Sequence, residues 1–163
     1  LNTHPIVVWS VALAAAVAVA SVPAQAAIEA TPPPAVQVLP LGPVNPDAAL
    51  GQSQYLVRYV IPSNVTLAVH RHEGTQIGFI VSGHLTYTVV SGAVPVYRSN
   101  PDGSSKQIDT VTTGQRRVLT PGQWVVETRD DVHYAANLTS EPVMLFTSTL
   151  LRKGAPLATP VTP

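Results

Sequence analysis

The chain contains no cysteine. That single absence excludes disulfides, thiolate-held zinc and cysteine nucleophiles, and it leaves nitrogen and oxygen as the only ligand atoms for a metal. It also excludes a lipid-anchored cysteine behind a leader. Charge is equally scarce. There are 9 basic and 9 acidic residues, and the formal net charge is +0. Nucleic-acid affinity rests on clustered Lys and Arg, so no nucleic-acid partner is expected. No internal repeat, coiled coil or phosphate-cradling glycine loop is present. Gly74-Thr75-Gln76-Ile77-Gly78 is not a nucleotide motif, because no helical pattern follows it. At 163 residues the chain has the length of one ordinary domain.

What is present first is an apolar leader. Residues 6–22 are rich in Ala and Val, no charge precedes Glu29, and Ala24 and Ala26 occupy the small-residue positions of a signal-peptidase site. We read residues 1–26 as a signal peptide cleaved after Ala26, although a basic leading region is missing and the chain begins at Leu1. The apolar stretch is slightly shorter than a membrane span needs, so no stable anchor is expected after cleavage. In a bacterium this implies a periplasmic or secreted protein. Residues 27–51 follow as a Pro-rich linker or arm, and residues 154–163 as a flexible Pro-rich tail. The folded core is expected over 52–153.

Nothing in that core has helical periodicity. Short runs rich in β-branched and aromatic residues alternate with turn residues. Strands are expected over 54–61, 65–72, 76–81, 84–90, 93–97, 107–112, 123–128, 132–136 and 143–151, with an exposed loop from Arg98 to Ser105. Many short strands without helices mean a sandwich or small barrel. Trp124, Phe79, Phe146 and Met144 read most simply as core.

Side chains alternate across a strand. Along 65–72, Thr66, Ala68, His70 and His72 therefore share one face, opposite Val65, Leu67 and Val69. Two histidines among small residues look like the wall of a cavity. Gln76, Gly78 and Ile80 share a face of the next strand, and His133, Ala135 and Asn137 have one parity near the end. Three strands can thus bring His70, His72, Gln76 and His133 to one point. Tyr87, Tyr134, Arg58 and Glu127 are candidates for pocket-lining acid, base or substrate contacts, although each alone reads more simply as structural. His84 falls outside the pattern and reads as a hairpin residue.

At this point the chain resembles the cupin superfamily. The first cupin motif places an acid and then a glycine after His-x-His; here His70-Arg71-His72 is followed by Gln76 in the acid's position and Gly83 in the glycine's. The second motif runs from glycine through Pro-x-Gly to histidine and asparagine. Gly122, His133 and Asn137 fall in register, while Thr128 and Asp130 replace the proline and second glycine. The resemblance covers nearly the whole core. It implies an all-β, jelly-roll-type β-barrel over 52–153 with a metal at its centre, held by His70, His72, Gln76 and His133. Asn137 is implied to be supporting or structural, and Gly83 and Gly122 to be turn glycines.

Where the family usually has glutamate, Gln76 offers a carbonyl oxygen without charge. Three imidazoles and an amide leave the ion's charge uncompensated, which lowers affinity and raises its strength as a Lewis acid. Glu73 is a poorer candidate, since on a continuing strand it faces away from His72. The site suits a divalent transition metal: iron, manganese, zinc, nickel or copper. The resemblance supports a metal-dependent oxygenase-type (dioxygenase-like) enzyme acting on a small organic molecule. A non-catalytic small-molecule or metal-binding module and a metal-dependent lyase or isomerase are the alternatives. A homodimer paired through edge strands is also expected.

Overall fold

A computed structural model of the chain describes residues 35–162, so the expected signal peptide, residues 1–26, lies outside the described residues. The described residues form β-strands and no helix. In chain order the strands are β1 (Gln37–Val44), β2 (Gln52–Ile61), β3 (Val65–Thr66), β4 (His70–Arg71), β5 (Gly74–Ser82), β6 (Leu85–Ser91) and β7 (Ala93–Ser99). They continue as β8 (Ser105–Thr112), β9 (Arg116–Leu119), β10 (Gln123–Glu127), β11 (Val132–Asn137), β12 (Val143–Arg152) and β13 (Thr159–Pro160). The fold is all-β, of the jelly-roll type. One sheet has the order β1-β2-β12-β5-β10-β7-β8, and the facing sheet has the order β13-β4-β11-β6-β9, with β3 added beside β11.

The period-two pattern of the sequence sets which side chains enter the barrel. On β5, Gln76, Gly78 and Ile80 are buried while Ile77, Phe79 and Val81 are exposed. On β10, Gln123, Val125 and Glu127 are buried. Ile61, Ile80, Leu85, Val89, Val94, Leu119 and Val143 belong to one apolar cluster between the sheets. Burying side chains of this size is worth about 1.5–3 kcal/mol each. Gly83 closes the turn between β5 and β6 at φ 78°, where a Cβ would lie 2.8 Å from the Pro142 carbonyl oxygen. That crowding accounts for the turn glycine read from the motif.

The folded unit extends past the expected boundaries at both ends. Part of the stretch read as a linker is β1, paired along β2 from Gln37 opposite Val60 to Val44 opposite Gln54. The stretch read as a tail holds a short strand: Thr159 and Pro160 of β13 pair with Arg71 and His70 of β4. Both strands end their sheets. Proline lacks a donor, but an edge strand has one side on which no donor is needed, so Pro40, Pro43 and Pro160 do not prevent pairing.

Two further expectations change. The run 65–72 is not one strand. It breaks between β3 and β4, and Leu67, expected to face away from the histidines, packs against the core. The aromatic residues expected in the core lie mostly outside it. Phe79 is exposed, Phe146 pairs beside it across β12 and β5, and Trp124 stacks on Tyr97 with ring centroids 4.1 Å apart.

Candidate metal centre

Three short pieces of chain aim the histidines. β4 carries His70, with His72 just beyond it, and β11 carries His133 directly opposite His70. One ring nitrogen from each of these three lies within 4.8 Å of the other two. His72 and His133 are buried and His70 is half-buried.

Backbone carbonyls fix two of the rings. His70 Nδ1 lies 2.7 Å from the Ala68 carbonyl oxygen, and His72 Nδ1 lies 2.6 Å from that of Leu157. Each Nδ1–H donates to its carbonyl, which leaves Nε2 as a lone pair for a ligand. His133 Nδ1 is buried without a hydrogen-bond partner, and its Nε2 faces Glu127. The loop that delivers β11 is held by Asp131. Its Oδ2 accepts from the Thr128 amide at 2.7 Å and hydroxyl at 2.8 Å, and its Oδ1 accepts from the Ala93 amide at 3.1 Å. These bonds fix a side-chain turn between β10 and β11.

Gln76 sits beside the trio in a different orientation from the one expected. Its Oε1 accepts a hydrogen bond from Thr149 Oγ1 at 2.8 Å, so the carbonyl is turned away. Its Nε2 points inward, 2.7 Å from Glu127 Oε2 and 3.0 Å from His72 Nε2. The reason is local pairing. Thr149 lies opposite Gln76 on one side and Glu127 lies opposite it on the other, and an amide placed between a hydroxyl and a carboxylate turns its N–H to the carboxylate.

Glu127 is the group that sequence reasoning undervalued. It is buried, with Oε2 3.3 Å from His72 Nε2 and Oε1 3.3 Å from His133 Nε2. Tyr87 Oη donates to Oε1 at 2.9 Å. Burial pushes this carboxyl up, but His133, His72 and the hydrogen bonds outweigh it and hold the group at about 2. Burial likewise lowers His70, to about 4, with His133 adding to the fall. His72 is raised: burial opposes its charge, and the bond and attraction to Glu127 overcome that. His133 is lowered by burial against the pull of Glu127, with His72 contributing to the fall.

The other candidates divide. Tyr87 lines the cavity, whereas Arg58 and Tyr134 do not. Glu73 faces away and pairs with Arg71 at 3.2 Å and Arg129 at 3.7 Å. His84 is exposed on the turn. Asn137 is structural. Its Nδ2 donates to the Ile61 and Glu141 carbonyls at 3.0 and 2.8 Å, and its Oδ1 accepts from the Thr139 amide and hydroxyl at 3.0 and 2.7 Å. Tyr59 was not singled out, although its parity with Val57 and Ile61 pointed it inward.

The histidines open into a cavity of about 280 Å³. Its other walls are largely apolar, including Leu67, Ile80, Leu85, Leu119, Val125 and Leu145. Val36 and Val38 close one side, and Ala158 and Pro160 contribute from the tail. None of the described residues lining it is Lys or Arg. Two rings held by backbone carbonyls, a third facing the same carboxylate, and neither Lys nor Arg among the described lining residues form a donor set that fits a divalent transition metal.

No family model matches the sequence, and no curated protein matches it. In structure the chain is similar to a cupin superfamily protein from Desulfitobacterium hafniense, at 11% identity and a TM-score of 0.49, over 72% of this chain and 78% of that one. It is also similar to a cupin 2 domain-containing protein from Halorhodospira halophila, at 13% identity and a TM-score of 0.48, over 78% and 70%. A cupin-like protein from Thermotoga maritima gives 18% identity and a TM-score of 0.45 over 77% and 75%. These likenesses concern the fold.

Proposed function

We propose that this chain is a metal-dependent, oxygenase-type enzyme whose substrate is a small, uncharged and largely apolar organic molecule. One observation carries the reading: three imidazoles converge at the polar end of a cavity whose remaining walls, among the described residues, are largely apolar and include no Lys or Arg. His70, His72 and His133 would hold the metal. When bound, an ion from the set iron, manganese, zinc, nickel or copper supplies a Lewis acid and, for those with accessible redox states, electrons for oxygen chemistry.

The chain's own residues account for selection. With no Lys or Arg among the described lining residues, only the metal could offset a substrate carboxylate, and any acidic group away from the metal is costly to bury beside Glu127. The cavity volume admits a molecule smaller than most drug-sized ligands. Tyr59 supplies a polar contact among the apolar walls. Burial, with the charge of Glu127 adding to it, raises its hydroxyl to about 12. At neutral pH it remains a hydrogen-bond donor for a substrate oxygen.

Two further elements complete the reading. The apolar run over 6–22 and the small residues before Ala27 support an exported, periplasmic or secreted protein. The exposed edge strand β1, with Val38, Leu39, Leu41 and Val44 uncovered, supports pairing with a second copy. Light scattering of the purified protein tests that pairing, and a monomer at all concentrations refutes it.

The deciding experiment is oxygen uptake by metal-loaded protein across a panel of small neutral alcohols, ketones and phenols, with carboxylates as controls. Turnover of a neutral substrate that stops without oxygen is the expected result. Turnover that persists anaerobically indicates a lyase or isomerase instead. Thermal stabilisation by a compound that is never consumed indicates a binding module.

A further inference from the structure

Resting on the metal-site reading above, we infer that Glu127, and not the residue in the motif's acid position, supplies the anionic fourth ligand, and that Gln76 is its positioning residue. The carboxylate has moved one strand across the sheet. Gln76 on β5 and Glu127 on β10 are direct cross-strand partners, and both side chains are buried inside the barrel. Adjacent inward positions on paired strands have Cβ atoms about 5 Å apart, so a Glu side chain on β10 reaches the space that one on β5 would fill.

The geometry separates the two roles. The Gln76 carbonyl is committed to Thr149, and the edge facing the histidines is N–H, which cannot bind a cation. Glu127 instead presents its two oxygens 3.3 Å from Nε2 of His72 and 3.3 Å from Nε2 of His133. Ligand atoms on one ion at about 2.1 Å stand about 3.0 Å apart at right angles and about 3.4 Å apart in a tetrahedron. The spacing to His72 and His133 falls in that interval; the ligand atoms already within 4.8 Å of one another are those of His70, His72 and His133, so Glu127 has to draw closer to His70 when an ion binds.

Charge points the same way. A buried carboxylate needs a countercharge, and among the described residues lining this cavity only the histidines can carry one, since none is Lys or Arg; once they ligate an ion they are neutral, and the countercharge is the ion's. The Gln76 amide and the Tyr87 hydroxyl hold one oxygen each, at 2.7 and 2.9 Å. These bonds orient the carboxylate without neutralising it, and each oxygen keeps a second lone pair. Three neutral imidazoles and one carboxylate leave a dication with one net positive charge, the balance that an amide in the ligand set fails to give.

The test is titration of the metal-free full-length protein with Co(II) against a competing chelator, read by affinity and by the visible absorption of the bound ion. Glu127→Gln, which keeps the shape but replaces one accepting oxygen with an NH2 donor, is expected to lower affinity more than about 100-fold and to change the spectrum. That exceeds the roughly 10- to 100-fold worth of a partner behind a ligand. Gln76→Ala is expected to lower affinity about tenfold and to leave the absorption bands in place. If Glu127→Gln does not fold, Glu127→Asp, with a carboxylate drawn back from the histidines, is expected to shift the same bands. Wild-type affinity and spectrum in Glu127→Gln, or a larger loss in Gln76→Ala than in Glu127→Gln, overturn the assignment. His72→Ala separates the two readings. If it abolishes binding while Glu127→Gln does not, only the carboxylate assignment fails; if it leaves binding intact, the metal site itself fails.

Discussion

Removing the C-terminal tail after Ala155 should weaken metal binding without deleting any metal ligand. The tail's Leu157 carbonyl accepts the His72 Nδ1–H at 2.6 Å, and the Val161 amide donates to the Val69 carbonyl at 3.0 Å just before β4. Truncation strips both contacts, together with the pairing of β13 to β4. A buried donor left without a partner costs about 1–3 kcal/mol. A lost partner behind a metal-binding histidine costs about 10- to 100-fold in affinity, or about 1.4–2.8 kcal/mol at 1.4 kcal/mol per tenfold. The assay is chelator competition on the full chain and on the form ending at Ala155, with thermal unfolding of both in the metal-free state. The expected result is the affinity loss above together with a lowered midpoint. Unchanged affinity in the truncated form refutes the argument that the tail fixes the His72 ring.

Asn137→Ala removes four hydrogen bonds from a fully buried side chain and is expected to cost about 3–5 kcal/mol, read by chemical denaturation; a loss below about 1 kcal/mol contradicts the structural role given to it. Ala135→Leu, on the cavity wall of β11, should cost about 1–3 kcal/mol of stability through overpacking and suppress turnover while metal content, read by elemental analysis, stays at the wild-type level. Stripping the metal should lower the unfolding midpoint by mass action, worth about 4 kcal/mol when the ion is present at a thousand times its dissociation constant, and calorimetry with and without chelator measures it. The metal-free form of His72→Ala should show no such dependence on added ion.

Much of the site was legible because a strand's two-residue period leaves few choices. Once His70 and His72 were placed on one face, and His133 on another strand with inward parity, convergence needed only a closed barrel. What parity does not give is which residues of different strands lie side by side. Glu127 had the same inward parity as Val125, yet its position beside Gln76 depends on the β5–β10 register, which no local signal announces. The ends of the fold were missed for a related reason. Proline density read as linker and tail because a proline cannot donate, and only the sheet order reveals that β1 and β13 are edges where no donor is required. The outward aromatic residues follow the same logic, since size suggested burial while alternation had already assigned Phe79 to the face opposite Ile80.

Both extremities of the described chain, Val36 and Val38 at one end and Ala158 and Pro160 at the other, form part of the cavity's wall. On the proposed function, changes in these two segments shift substrate preference while the histidine cluster and the barrel's register stay fixed. The same placement makes the choice of fusion tag a chemical decision. A polyhistidine tail appended directly after Pro163 would sit a few residues from that wall and bring imidazoles of its own, so preparations tagged there and preparations without a tag should be compared before any substrate profile is assigned.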